Sequence, residues 1–269
     1  AHFGYLFGIC VEKGSELPEG HENRKMKYRI VFQGNNVKNQ DWQAATFDDL
    51  GSSPASIEAA RAADLYGSAP GHCIEMADAV QAYVQARLCG TETWVCLPPE
   101  WRDGPHWTGF RRPVVRLRLA LYGHPDAGTF WEQHCDRHLR FIGFEPIGEC
   151  WPSCYFPPAL KLFLVVYVDD FKMAGPKVNI KTGWNLIARG LELEPPQPMG
   201  IFLGCNHILE EMRLPNGRDA RLMKYVMTSF MRSCVDLYLE LARGVKLRTV
   251  DTPFLPEDHL LSPQGIPAS

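Results

Sequence analysis

Two adjacent carboxylates, Asp169 and Asp170, interrupt an aliphatic run in LFLVVYVDDFKMAG, Leu162–Gly175. Held about 4 Å apart at an effective dielectric of about 20, two such charges repel by about 4 kcal/mol, against about 1 kcal/mol in water. On a freely exposed turn they would splay apart. A strand apolar on both faces, as LFLVVYV is, belongs inside a sheet, and a tip rooted there is less free to splay. Two readings stay open. One is a plain hairpin, because Asp suits turn positions. The other is a site for a hard divalent ion such as Mg²⁺, which prefers carboxylate and phosphate oxygens.

A third acid stands in a matching setting. Asp78, in IEMADAVQAYV, lies between short apolar runs, with Tyr83 following the small Ala82. Other constellations are weaker. His134 and His138 stand one helical turn apart with Cys135 beside them, a zinc-compatible spacing without further paired ligands, and solvated or half-buried helix positions explain them as well. Cys150 and Cys154 are isolated from other ligands. Neither a G-x-S-x-G elbow nor a phosphate-cradling Gly loop occurs, so hydrolase and nucleotide-switch readings have no support.

The elements that must hold these residues follow from pattern. YRIVFQG (Tyr28–Gly34) reads as a strand from its β-branched and aromatic content, among the basic residues Arg24, Lys25, Lys27, Arg29 and Lys38. SSPASIEAARAADLYG predicts a helix with Ser53 as N-cap and Pro54 at the first helical position, ending at Gly67. WVCLPPEWRDGPHW predicts mostly loop. RRPVVRLRLALYG carries Arg111, Arg112, Arg116 and Arg118, the densest positive charge. Phe130, Trp131, His134, Cys135, His138, Leu139 and Ile142 recur at helical period, with Gly143 available for a left-handed stop. PNGRD predicts a further turn. After it, from Ala220 onward, comes a helix whose apolar stripe, Val226, Phe230, Cys234, Leu237 and Leu241, is expected in a core.

The chain has 269 residues, 45% hydrophobic and 22% charged, a composition that supports one sizeable core or two smaller ones. Its longest apolar run is far shorter than the roughly 20 residues that cross a bilayer. Net charge is -3, so nucleic-acid binding would need a local basic surface, which the arginine cluster offers. Nine cysteines without a C-x-x-C pair predict mostly reduced core residues in an intracellular protein, cytoplasmic or nuclear. A start at Ala1 rather than Met suggests a processed or excised piece.

Taken in order, D-x-x-x-A-Y, RLRLALYG, YVDD and FLG resemble the polymerase region of retroelement reverse transcriptases, closest to the copia type of long-terminal-repeat retrotransposon. The resemblance implies an α+β right-hand polymerase. Fingers would occupy 1–72 and a second segment at about 89–125, the palm, an antiparallel sheet with packed helices, 73–205, and a partial thumb or connection 206–269. It implies RNA-directed DNA polymerase activity by two-metal nucleotidyl transfer to a primer 3′-hydroxyl, with Mg²⁺, or Mn²⁺ in its place, held by Asp78, Asp169 and Asp170. Lys27, Arg29, Tyr83, Tyr122 and Gly123 would bind the deoxynucleoside triphosphate. Tyr83 would exclude a ribose 2′-hydroxyl, although a core tyrosine explains it as well. Tyr167, Phe202, Leu203, Gly204, Arg116 and Arg118 would meet primer and template, RNA or DNA. The remainder of a polyprotein, ribonuclease H and integrase, is expected as a neighbour and has no counterpart in this sequence.

The chain also departs from the copia pattern. His124-Pro125-Asp126-Ala127-Gly128-Thr129-Phe130-Trp131 stands where L-K-Q-A-P-R-A-W is usual, and Ala79-Val80-Gln81 where V-K-T is common. A lysine and an amide are missing. This keeps a second reading open, a catalytically inactive reverse-transcriptase-like domain with a structural or nucleic-acid-binding role.

Overall fold

The protein is described by a computed structural model covering residues 1–14, 19–22, 24–47 and 53–247. The last part of the expected 206–269 span lies outside the described residues. The chain opens with β1 (His2–Lys13) and β2 (Lys25–Phe32), followed by α1 (Ile57–Gly67), β3 (His72–Asp78) and the short α2 (Ala82–Gln85). Next come β4 (Thr93–Cys96), β5 (Val114–Arg116) and α3 (Ala127–Phe141). The middle holds β6 (Glu145–Pro146), β7 (Cys154–Phe156), β8 (Phe163–Tyr167), β9 (Asp170–Pro176) and α4 (Lys177–Ile187). Last are β10 (Gln197–Pro198), β11 (Ile201–Phe202), β12 (Cys205–Arg213), β13 (Asp219–Val226) and α5 (Thr228–Leu241).

Among the described residues the result is a mixed α/β architecture with three sheets, ordered β2-β1-β4-β5, β10-β3-β9-β8-β7-β6 and β11-β12-β13. The chain divides into two units, Ala1–Tyr225 and Val226–Ser269.

The six-stranded sheet is antiparallel throughout, and its central strands β8 and β9 are buried on both faces. Leu164 and Val166 of β8, with Phe171 and Met173 of β9, meet Trp131, Cys135 and Leu139 of α3 and Ile180, Trp184 and Ile187 of α4. The alternate residues Phe163, Val165 and Ala174 meet Ala59 and Ala63 of α1. The period of two in a strand therefore sends one aliphatic run into two cores, which is why LFLVVYV lacks polar positions.

Several expectations are corrected. The N-cap of α1 is Ser56, whose hydroxyl accepts from the Ala59 amide at 3.2 Å, three residues beyond Ser53. Pro54 precedes the helix rather than opening it. The WVCLPPEWRDGPHW stretch is mostly without strand or α-helix, as expected, and only its first residues, 94–96, belong to β4, where Val95 is buried with Phe32 and Val37. Ala220 lies on β13, and the last helix starts at Thr228. Every residue of α5 is exposed, so the apolar stripe expected in a core is not in one. Of the nine cysteines only Cys135 and Cys154 are buried, so "mostly core" does not hold, although all nine are free thiols. Among the described residues no helix is long and apolar enough to cross a membrane.

Candidate active site

Asp78 ends β3 and Asp170 opens β9, and the antiparallel register sets them directly opposite each other. Tyr167 pairs with Asp170 across the β8–β9 hairpin, so its loop is just Val168 and Asp169. The Ala79 amide donates to the Asp169 carbonyl at 2.7 Å, which draws the tip of the hairpin onto the end of β3. An adjacent pair of carboxyl groups and a third that is distant in sequence thus share one corner of the sheet. Burial, then the charges of Asp169 and Asp78, push the Asp170 carboxyl up to about 6.

The tip is strained. Val168 takes φ of 55°, a left-handed conformation that its branched side chain disfavours. The indole N–H of buried Trp131, from α3, donates to the Val168 carbonyl at 2.7 Å and holds the turn from below. Trp131→Phe is therefore expected to cost about 1–2 kcal/mol in urea unfolding, and less in a Val168→Gly background where the left-handed turn is unstrained. An equal cost in both backgrounds would mean the hydrogen bond does not support the turn.

Lys27, Arg29, Asp78, Asp169 and Tyr122 line one open cleft of about 450 Å³. Both cations are exposed on β2. The Arg29 guanidinium stands 5.8 Å from the centre of the Tyr122 ring, and the rings of Tyr83 and Tyr122 meet edge to face at 4.6 Å. Burial, followed by the Asp169 charge, raises both phenols above their ordinary range, so both remain neutral donors. Tyr83 also lines a small cavity beneath the hairpin with Trp131 and Val168.

Tyr122 is placed by backbone stitching. The Phe32 amide at the end of β2 donates to the Tyr122 carbonyl at 2.7 Å. Gly123 has φ of 85°, and a Cβ there would collide with the Phe32 carbonyl, so both conformation and space demand glycine.

The divergent segment behind it is anchored by His124, which is buried against Phe32 and Phe47 and has Nε2 3.2 Å from Thr93 Oγ1. Burial, helped by nearby His2, lowers its pKa to about 4. Because the folded value lies below the unfolded 6.5, neutral His124 contributes stability above about pH 6.5 that is lost as pH falls through about 4. Full conversion would give about 3 kcal/mol and solvent screening leaves roughly 2. His124→Gln is expected to flatten that part of the stability–pH curve in thermal unfolding. An unchanged curve would remove His124 as the cause.

The remaining expected residues are placed differently. Arg116, on β5, pairs with Glu92 at 2.8 Å, and neither it nor Arg118 lines the cleft. Phe202 is only 4% exposed, so its ring is not free to touch a primer, whereas Leu203 is 38% exposed. Gly204 follows at φ of 75° in an open turn. His138 Nε2 lies 2.9 Å from the Ile187 carbonyl, a helix-to-helix tie between α3 and α4. Sequence reasoning missed Glu194, which lines the cleft and whose amide donates to the Asp78 carbonyl at 2.8 Å. Nothing near Glu194 in the sequence signals that pairing.

Carboxylate oxygens at this corner suit a hard divalent ion in donor chemistry, and a cation would offset the charges of Asp169 and Asp78 that, after burial, raise Asp170. Among the described residues no three His, Cys, Asp or Glu side chains form a ready ligand cage. Further ligands would therefore come from a bound phosphate, as is usual for Mg²⁺.

No protein-family model matches the chain. It is 26% identical over 219 residues to the Retrovirus-related Pol polyprotein from transposon RE2 of Arabidopsis thaliana, covering 80% of this chain and 14% of that protein. To the corresponding polyprotein from transposon RE1 of the same plant it is 26% identical over 247 residues, covering 90% of this chain and 15% of that protein. The structure of telomerase from Candida albicans in complex with a TWJ fragment of telomeric RNA overlaps 76% of this chain and 44% of that chain. At a TM-score of 0.34 and 12% identity, that likeness is too loose to fix the shape. The resemblance to copia-type retrotransposon Pol polyproteins, read from four ordered motifs, is borne out over most of the chain.

Proposed function

We propose that the chain is the polymerase region of a reverse transcriptase, a right-hand fold that adds deoxynucleotides to a primer 3′-hydroxyl on an RNA or DNA template. What supports this reading is one juxtaposition: Asp78 and Asp169 share a cleft with Lys27, Arg29 and Tyr122.

Asp78 and Asp169 would hold Mg²⁺, with Asp170 behind them. The bound ions would supply charge neutralisation at the α-phosphate and a lowered pKa for the primer hydroxyl. Lys27 and Arg29 would meet the triphosphate, where negative charge gathers on the β- and γ-phosphates as pyrophosphate leaves. Tyr122 and Tyr83 form an aromatic corner against the sugar, and the ring edge there leaves a ribose 2′-hydroxyl no room. The exposed Leu203–Gly204 turn touches the primer.

The test is templated incorporation: purified chain, a primed RNA template, one deoxynucleoside triphosphate at a time, and Mg²⁺. Addition of only the complementary nucleotide is the expected result. Binding of the primed template without any addition, in Mg²⁺ or Mn²⁺, would instead favour the inactive nucleic-acid-binding role.

A further inference from the structure

Lys172 has no exposed surface at all, although it lies two residues beyond the acidic pair. Strand alternation sets it on the same face of β9 as Asp170, one step deeper into the sheet. Its Nζ lies 2.9 Å from Asp64 Oδ1 on α1 and 3.1 Å from His207 Nδ1 on β12. The Phe202 ring centre is 4.2 Å from the same ammonium. Asp64 Oδ2 accepts from the Tyr225 hydroxyl of β13 at 3.2 Å and lies 3.1 Å from His207 Nδ1. That ring nitrogen donates to Asp64 when protonated and accepts from Lys172 when not. Burial pushes the Asp64 carboxyl up, but the His207 hydrogen bond and the Lys172 charge outweigh it and hold the group below its ordinary range.

Burying an ion pair costs roughly what its attraction returns, and an apolar pair of similar volume holds a fold as well. What the charged network adds is direction. It ties α1 and β9 to β12 and β13, and through Phe202 to the turn that joins β11 to β12. That turn is a tight two-residue one, with Leu203 and Gly204 both left-handed between the paired residues Phe202 and Cys205. The strand bearing Asp170 and the exposed Leu203–Gly204 turn are therefore fastened at one buried ammonium.

We propose that Lys172 is a positioning residue: by gripping Phe202 and His207 it sets the Leu203–Gly204 turn, and hence the primer terminus, against the acidic corner. The inference rests on the polymerase reading for the identity of what the turn holds. The anchoring itself does not.

The test uses the paired variant Lys172→Leu/Asp64→Leu, which removes both buried charges together. Three quantities are read: thermal unfolding, amide hydrogen exchange of residues 199–206, and the separate KM values for primer–template and nucleotide. Unfolding close to that of the unaltered chain is expected, with exchange at the turn and KM for primer–template each raised about tenfold and KM for nucleotide unchanged. Unchanged exchange and unchanged primer–template KM would reduce the network to a plain structural tie and overturn the inference. Should the pair fail to fold, His207→Phe keeps the ring contacts but loses the nitrogen, and its exchange at 199–206 decides in the same way. An unaltered chain that extends no primer would sink the polymerase reading and the primer role with it, whereas faster exchange in the variant would still establish the anchoring.

Discussion

Replacing Asp169 by Asn is expected to lower templated incorporation by at least ~1000-fold, and Asp78→Asn by a similar factor. Both side chains line the cleft, and each amide keeps the shape while removing the charge that would hold a cation against a phosphate. Asp170→Asn is expected to be milder, because Asp170 is not part of the cleft lining. The metal-free stability of Asp170→Asn should run the other way. Asp170 is raised to about 6 from 3.8, so the folded state binds its proton more tightly than the unfolded chain. That contribution is present below about pH 4 and lost as pH rises through about 6. After allowance for screening, Asp170→Asn should stabilise the metal-free chain by about 1 kcal/mol at pH 8 and by almost nothing at pH 4. Single-turnover kinetics check the ranking, and denaturant titrations with chelator check the pH dependence. Equal activity of Asp169→Asn and the unaltered chain would remove the acidic corner from the chemistry.

Lys172→Met alone should destabilise the protein by about 3 kcal/mol, because it strands a buried carboxylate whose desolvation the ammonium offsets. The effect should sit at the lower end of what breaking a buried pair costs, since Tyr225 and His207 still contact Asp64 Oδ2. In thermal unfolding that corresponds to a fall in Tm of about 10 °C. The paired apolar replacement should recover most of it. If the single and paired variants were equally unstable, packing rather than charge would be what Lys172 supplies.

The hairpin was legible because two physical demands coincide in few residues: a strand buried on both faces, and a polar break too short for anything but a tight turn. The 3.6-residue pattern of α3 was legible for the same reason, down to the left-handed Gly143. The N-cap of α1 was misplaced because two serines, Ser53 and Ser56, offer the same hydroxyl, and only packing of Ala59 and Ala63 against the sheet selects the second. Nothing in the sequence singles out Lys172, since its partners Asp64 and His207 lie on other elements far away in the chain. Glu194 was hidden likewise, its place set by a backbone bond to Asp78. The stripe on α5 shows the converse failure. Helical period identifies an apolar face but not a partner to cover it, and in this structure the whole helix is exposed.

The most direct measurement is a calorimetric titration of Mn²⁺ into the protein carrying a non-hydrolysable deoxynucleoside triphosphate analogue. Saturable binding is expected for the unaltered chain, weakened at least about tenfold by either Asp78→Asn or Asp169→Asn. The same affinity in all three proteins would contradict a shared cation site at the end of β3 and the β8–β9 turn.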